Sequence, residues 1–343
     1  MRAVVLTGTG GPEVLQVQER PDPLPGPGEV RVAVRAAGIN FADTMARVGL
    51  YPDAPKTPCV LGYEFAGEVE SVGEGVEDRQ PGERVMGGTR FGGQAELVSV
   101  PADQLLPLPE RLSFEQGAAF PVNYGTAYAA LILMGGLRSG DRVLIHAAAG
   151  GVGIAATQVA RNVGAEIFGT ASPQKHEAIR AHGVAHAIDY RDKDFEQEVN
   201  QITGGEGIDL AIDALGPASF RKDYRLLRSG GRLVMYGISE LTPTGKRSIP
   251  TALRSLARMP MATMPWWKSL SMMNENKGVF GLNMLGWWDR EGSLDRVTEP
   301  LMADLESGSL EPVVAAGFPF DKAGEAHEFI AQRRNVGKVV LLA

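Results

Sequence analysis

The sequence predicts an α/β protein of two domains, the first built of short strands and the second a doubly wound parallel sheet. Three observations carry this expectation. At 343 residues the chain exceeds the roughly 250 to 300 residues that one hydrophobic core usually serves. Its first third reads as short apolar runs broken by Gly and Pro. From about Ser139 onward, strands alternate with helical segments, the pattern of a parallel sheet with crossover helices.

The candidate strands of the first third are residues 3–6, 15–19, 29–37 and 66–72. Between the second and third, Pro21, Pro23, Pro25 and Pro27 impose an extended connection, because each removes a backbone donor and turns its predecessor away from the α region. That stretch reads as a surface loop rather than a partner-binding motif. The second domain offers six candidate strands, 143–147, 166–171, 185–190, 208–215, 231–237 and 278–284. An acidic helix over 295–305, a helix over 323–333 and a final strand over 338–342 follow, and this tail is expected to return to the first domain.

Residues 251–277 stand apart, with Met259, Met261, Met264, Met272, Met273 and the pair Trp266 and Trp267; a second pair, Trp287 and Trp288, comes shortly after. The segment reads as a helical insertion that packs its apolar face on the core or on a twin subunit. The alternative is a patch for lipid or a hydrophobic partner, a use to which exposed Met and aromatic clusters are put.

Hydrophobic residues at 44% and charged residues at 22% give the balance of a soluble globular protein. A net charge of -7 argues against an electrostatic grip on nucleic acid or an acidic membrane, so neither is an expected partner. The single cysteine, Cys59, excludes an intrachain disulfide and a cysteine metal cage, and fits a reducing cytoplasm. The opening apolar run, residues 1–6, is too short for a signal peptide, and no stretch has membrane-spanning length.

The run from His146 through Ala147, Ala148, Ala149, Gly150, Gly151, Val152 and Gly153 follows the first strand of the second domain. It opens a helix with apolar positions at Val152, Ala156, Val159 and Val163 that Gly164 ends. A glycine triplet alone fits many tight turns, but between a strand and a helix it marks a dinucleotide cradle. Small residues let the backbone approach a pyrophosphate, which the helix start stabilises. An NAD site usually closes its second strand with Asp or Glu on the ribose hydroxyls. Here that strand runs into Ser172, Pro173, Gln174, Lys175 and His176, a hydroxyl and a cation suited to a 2′-phosphate, so NADPH is the expected cofactor. The alternative for Lys175 is an ordinary solvated lysine.

Several ordered segments carry a resemblance: residues 38–43, 45–47, 49–51, 122–124, 126–128, 147–153, 168–172, 175–178, 188–190 and 335–339. Through them the chain resembles the medium-chain dehydrogenase/reductase superfamily, in its quinone oxidoreductase branch and within that the group of a synaptic vesicle membrane protein and its bacterial relatives. The match runs almost end to end. It implies a GroES-like catalytic domain over 1–124, completed by 286–343, and a Rossmann domain over 125–285 carrying the insertion, with the active site in the cleft between them. It further implies that Ser172, Lys175 and Tyr190 face the adenosine phosphate with Arg333 joining them, that Thr126 meets the nicotinamide amide, and that Asn335 and Lys338 close over the cofactor.

Zinc members of the superfamily carry Cys in the position of Asn40, His in that of Tyr63 and four closely spaced structural cysteines; this chain has none of these. Glu64 and Asp43 cannot form a tetrahedral zinc set unaided, and His146, His176, His182, His186 and His327 show no ligand spacing, so no metal is expected. Without a metal to polarise a plain ketone, the chemistry moves to quinones and α,β-unsaturated carbonyls, which accept hydride readily. By resemblance Asn40 and Asp43 line the catalytic cleft, Asn40 also beside the cofactor, Tyr51 matches the proton donor of enoyl reductases and Tyr63 flanks the site. A homodimer is expected by resemblance and because strand 278–284 would lie at a sheet edge that needs cover. A non-catalytic protein binding lipid, membrane or a partner on the same fold is the alternative, favoured by the Met and Trp insertion.

Overall fold

Apolar alternation in the first third does produce strands. The computed structural model describes residues 1–241 and 269–343. The described residues fall into two units, one made of 1–125 and 285–343, the other of 126–241 and 269–284.

The first unit begins with β1 (Arg2–Leu6) and β2 (Leu15–Glu19), which pair antiparallel, and β4 (Cys59–Val60), which pairs with the other side of β1. A seven-stranded sheet uses β3 (Glu29–Ile39), β5 (Glu64–Val72), β6 (Arg84–Gly88), β7 (Leu97–Pro101) and β8 (Leu105–Pro107), plus two strands from the tail. Along β3, Val30, Val32 and Val34 are buried and pack with Phe65, Val85, Val98, Val100, Val339 and Leu341. This is the period-two pattern of a strand with one core face. β3 runs two residues past the expected end at Ala37 because the tail pairs there, Ile39 with Val339 and Gly38 with Val340. Gly38 is required: a Cβ there would lie 2.6 Å from the Ala118 carbonyl oxygen and 2.6 Å from the Glu64 side chain. The proline-rich connection is irregular, without helix or strand from Pro21 to Pro25.

In the second unit all six expected strands form, as β9 (Arg142–Ile145), β10 (Glu166–Ala171), β11 (His186–Asp189), β12 (Ile208–Asp213), β13 (Leu227–Met235) and β14 (Gly278–Gly281). They are parallel, in the order β11-β10-β9-β12-β13-β14. Every residue of β12 is buried, as expected of a central strand covered on both faces. β9 stops at Ile145, short of Ala147, since Ala147 takes a left-handed φ of 49°. β12 stops at Asp213, whose side chain accepts the Leu215 N–H and folds the chain into a turn. β14 is shorter than expected because Met284 already begins the helix Met284–Glu291.

The tail returns to the first unit as β15 (Val314–Pro319) and β16 (Lys338–Leu342), β16 lying between β15 and β3. The acidic helix expected over 295–305 is not continuous. It breaks into Asp295–Thr298, a 3-10 turn Glu299–Leu301 and Met302–Ser307. Pro300 explains the break, since it lacks an N–H and its ring clashes with the carbonyl a turn earlier. The helix expected over 323–333 ends at Ala331, and Arg333 follows with φ 55°. Of the Met and Trp segment, residues 251–268 lie outside the described residues; beyond them Ser269–Glu275 is a helix.

Candidate functional site

In the second unit the helix Gly151–Val163 starts from Gly150 as N-cap, which offers no side-chain acceptor, and ends at Gly164 in the left-handed region with φ 85°. The first-turn N–H groups of Gly151, Val152 and Gly153 therefore have no intrahelical or capping acceptor and suit an anionic group. The turn is tight: Gly150 N–H donates to the Ala147 carbonyl at 2.8 Å. A Cβ on Gly153 would lie 2.3 Å from that carbonyl oxygen and 2.7 Å from the Ala148 backbone, so only glycine fits. Gly150 is less constrained, its Cβ meeting the same oxygen at 3.3 Å. Ala149 is buried beside them. These residues fit a dinucleotide pyrophosphate in shape and in donor chemistry.

The ends of β10 and β11 are in register, Ala171 opposite Asp189, so Ser172 and Tyr190 emerge side by side at the carboxyl ends of neighbouring strands. Lys175 follows in the 3-10 turn Pro173–Lys175. No acid closes β10; its end holds Ser172, nearly buried, instead. Thr126 is buried in the helix Pro121–Tyr128.

In the first unit Asn40 precedes the helix Phe41–Arg47, and the Asp43 carboxylate accepts the Asn40 N–H at 2.7 Å and the Gly62 N–H at 3.2 Å. Burial pushes the Asp43 carboxyl up to about 7, against the pull of those N–H groups and of Lys338. The Asn40 amide is used at both ends. Its Oδ1 accepts from Lys338 Nζ at 2.7 Å, and its Nδ2 donates to Glu64 Oε1 at 3.0 Å. Glu64 also accepts the Val122 N–H at 2.8 Å and pairs directly with Lys338 Nζ. Glu64 and Lys338 are 0% and 3% exposed, so this is a buried ion pair that fixes the Asn40 amide. Lys338 is thus brought to Asn40 by the pairing of β16 with β3, not left at the surface.

Tyr51 lies in the loop after Gly49 and meets Tyr63 edge-on, their ring centroids 6.4 Å apart; Tyr63 in turn packs against Phe91 at 5.0 Å. Burial, and for Tyr63 also the charge of Asp43, raises both phenols above their usual range. Both stay protonated at neutral pH and can donate a hydrogen bond. Asn335 and Arg333 lie in the loop before β16, where Asn335 Nδ2 donates to the Gly337 carbonyl at 2.8 Å. The one grouping of three His, Cys or carboxylate donors among the described residues is His146, Asp213 and Asp223 in the second unit, so the surroundings of Asn40 and Tyr63 hold no ligand set.

Sequence reasoning missed two features. In the sequence Glu64 reads only as a candidate zinc ligand; its buried pairing with Lys338, 274 residues away, has no local signal. In the sequence His146 reads as one of several scattered histidines, yet it is fully buried against Asp223, and its place at the head of the glycine-rich run is the available clue.

Two family models match the chain, one described as the alcohol dehydrogenase GroES-like domain over residues 26–110, the other as zinc-binding dehydrogenase over residues 182–341. The Homo sapiens synaptic vesicle membrane protein VAT-1 homolog is 42% identical over 351 residues, covering 100% of this chain and 86% of that protein. Among solved structures, the Escherichia coli quinone oxidoreductase complexed with NADPH matches with a TM-score of 0.85 and 30% identity, covering 100% of both chains. CurK enoyl reductase matches with a TM-score of 0.84 and 28% identity, covering 99% of this chain and 98% of that one.

Proposed function

Because the chain belongs to the medium-chain dehydrogenase/reductase superfamily, with VAT-1 homologues and quinone oxidoreductases among its relatives, we propose that it is a zinc-independent, NADPH-dependent reductase of quinones or α,β-unsaturated carbonyls. One observation carries the reading: where zinc members hold ligands, this chain builds the hydrogen-bonded set Asn40, Glu64 and Lys338. Such a set donates hydrogen bonds and does not act as a Lewis acid, so it suits acceptors already activated by conjugation.

The bound nicotinamide supplies the hydride. The N–H groups of Gly151, Val152 and Gly153 would hold the pyrophosphate, with Ala149 and Gly150 shaping the turn, and Ser172, Lys175 and Tyr190 would take the 2′-phosphate; Arg333 and Asn335 are further residues for the cofactor, and Thr126 for its amide. Asn40 gives one Nδ2 hydrogen to Glu64 and has a second for the acceptor carbonyl. Lys338 and Glu64 act as positioning residues that lock the amide. Tyr51 supplies the proton, Tyr63 orients Tyr51, and Asp43 holds the Asn40 backbone.

The test is NADPH oxidation against a panel of quinones, enones and alkenals with products identified, alongside elemental analysis for zinc. Tyr51→Phe keeps the ring and removes the donor, so it should lower turnover more than it weakens NADPH binding. No turnover with any acceptor, or stoichiometric zinc whose chelation abolishes activity, would refute the reading. β14 ends the six-stranded sheet, and pairing with its twin would make the protein a homodimer, which light scattering checks. A lipid- or partner-binding role is the second reading, favoured by Leu270 and Met273, 69% and 70% exposed on the helix Ser269–Glu275. Liposome flotation beside the turnover assay separates the two. Among the described residues no helix is long and apolar enough to cross a membrane.

A further inference from the structure

The strand order of the second unit places β10 on one side of β9 and β12 on the other, so the carboxyl ends of β9 and β12 form the switch point of the sheet. Three fully buried ionisable side chains converge there: His146 directly after β9, Asp213 at the end of β12, and Asp223 on the helix Pro217–Leu226. His146 Nε2 is 2.8 Å from Asp223 Oδ1 and 4.0 Å from Asp213 Oδ2, and Phe195 meets the imidazole edge-on. The Oδ2 atoms of both aspartates are buried with no hydrogen-bond partner among the described residues. Two carboxylates at this depth, each with one oxygen unmatched, carry a desolvation penalty that protons on the cluster relieve.

The other imidazole nitrogen links the cluster to the glycine-rich turn. Nδ1 is 3.2 Å from Thr170 Oγ1, and the same hydroxyl accepts the Ala147 N–H at 3.2 Å while the Thr170 carbonyl accepts the Ala148 N–H at 3.0 Å. With a neutral ring protonated on Nε2, the Thr170 hydroxyl donates to Nδ1. With an imidazolium, Nδ1–H donates and the hydroxyl hydrogen must turn elsewhere. The charge state of His146 therefore reverses a hydrogen bond at the group that pins Ala147.

We propose that His146, Asp213 and Asp223 are positioning residues that store protons at the switch point and, through Thr170, set the Ala147–Gly150 turn, linking dinucleotide affinity to their proton count. The affinity part rests on the dinucleotide reading above. Burial resists charging His146, but Asp223 and Asp213 outweigh it and hold the imidazole up to about 9. Burial, opposed by His146 and reinforced by Asp223, pushes Asp213 up to about 7. Of the other groups around them, Glu240 adds negative field at His146, Tyr236 stays neutral, and Lys222 is engaged by Asp194 at 2.7 Å. Rising pH thus accumulates negative charge below the turn and opposes an incoming pyrophosphate.

The decisive experiment is an NMR titration of dinucleotide-free protein labelled with nitrogen-15 at His and Ala. His146 should keep its proton to about pH 9, well above the ordinary value near 6.5, and the Ala147 amide should shift with it. Thr170→Val should leave His146 titrating but decouple Ala147, and Thr170→Ser should restore the coupling. A His146 that titrates near 6.5, or an Ala147 amide indifferent to it, overturns the proposal, as does stoichiometric divalent metal that dialysis leaves and Asp213→Asn releases. In the second arm, the NADPH Kd should rise about fivefold to tenfold between pH 7 and 9, and Asp213→Asn should keep less than half of that dependence. An unchanged slope in Asp213→Asn overturns the linkage. Failure to bind NADPH at any pH overturns the linkage together with the reading it rests on, whereas the labelled-protein titration decides the triad by itself.

Discussion

Replacing Lys338 by Met removes the cation of the buried pair while keeping most of the side-chain volume. Glu64, 0% exposed, would retain the Val122 and Asn40 donors at 2.8 and 3.0 Å but face no positive charge. Breaking one side of such a pair usually costs about 3–5 kcal/mol, because the partner stays buried and uncompensated. Asn40 Oδ1 also loses its donor, which places the expected loss toward the upper end of that range. Hydrogen exchange of peptides spanning residues 30–39 and 338–342 reads this locally, since Ile39 pairs with Val339 and Ala36 with Leu342. The opening free energy there should fall by about 3–5 kcal/mol. Lys338→Met combined with Glu64→Gln should regain roughly half of the loss, as no charge is then stranded. A single variant within about 1 kcal/mol of the unmodified protein, or a double variant no better than the single, would refute the reasoning.

Gly153→Ala, whose Cβ would sit 2.3 Å from the Ala147 carbonyl oxygen, should weaken NADPH binding by about tenfold or more, and Gly150→Ala, with 3.3 Å available, by less; fluorescence titration ranks them. Lys175→Ala should raise the NADPH Kd by about tenfold and leave that for NADH nearly unchanged, which isothermal titration measures. Asp43 gives a pH prediction. Its folded carboxyl, at about 7, lies above the ordinary 3.8, so between these values the folded state binds the extra proton and stability falls as pH rises, levelling above 7. Denaturant melts should give a slope of up to about 1.4 kcal/mol per pH unit from this group, and Asp43→Asn should flatten it.

The strands were legible because their burial is periodic. Val30, Val32 and Val34 alternate, and the second unit's strands are apolar runs between Gly and polar turns. Strand ends were less so, since they depend on side-chain caps such as Asp213 on Leu215 and on backbone choices such as the positive φ of Ala147. The glycine-rich cradle was readable because its chemistry is local: consecutive small residues, one turn, one helix start. The GroES-like and Rossmann-type domains of the superfamily match the fold expected from those signals. The networks behind the site are not local. Glu64 meets Lys338, and His146 meets Asp223, across separations of 274 and 77 residues, and one sequence carries no mark of such pairings.

The insertion of β16 between β15 and β3 also bears on how the molecule is made. As the chain leaves the ribosome, the six-stranded sheet has all its strands once Gly281 has emerged, whereas β3 still shows an unpaired edge from Ala36 to Ile39. Glu64 at that stage lacks the ammonium that accompanies its burial. The emergence of β16 therefore closes the edge and neutralises the carboxylate in one event, and Asn40 acquires its fixed amide only then. A chain released before Lys338 would hold a finished parallel sheet joined to an open, charged half-sheet, with an exposed edge open to pairing with other chains.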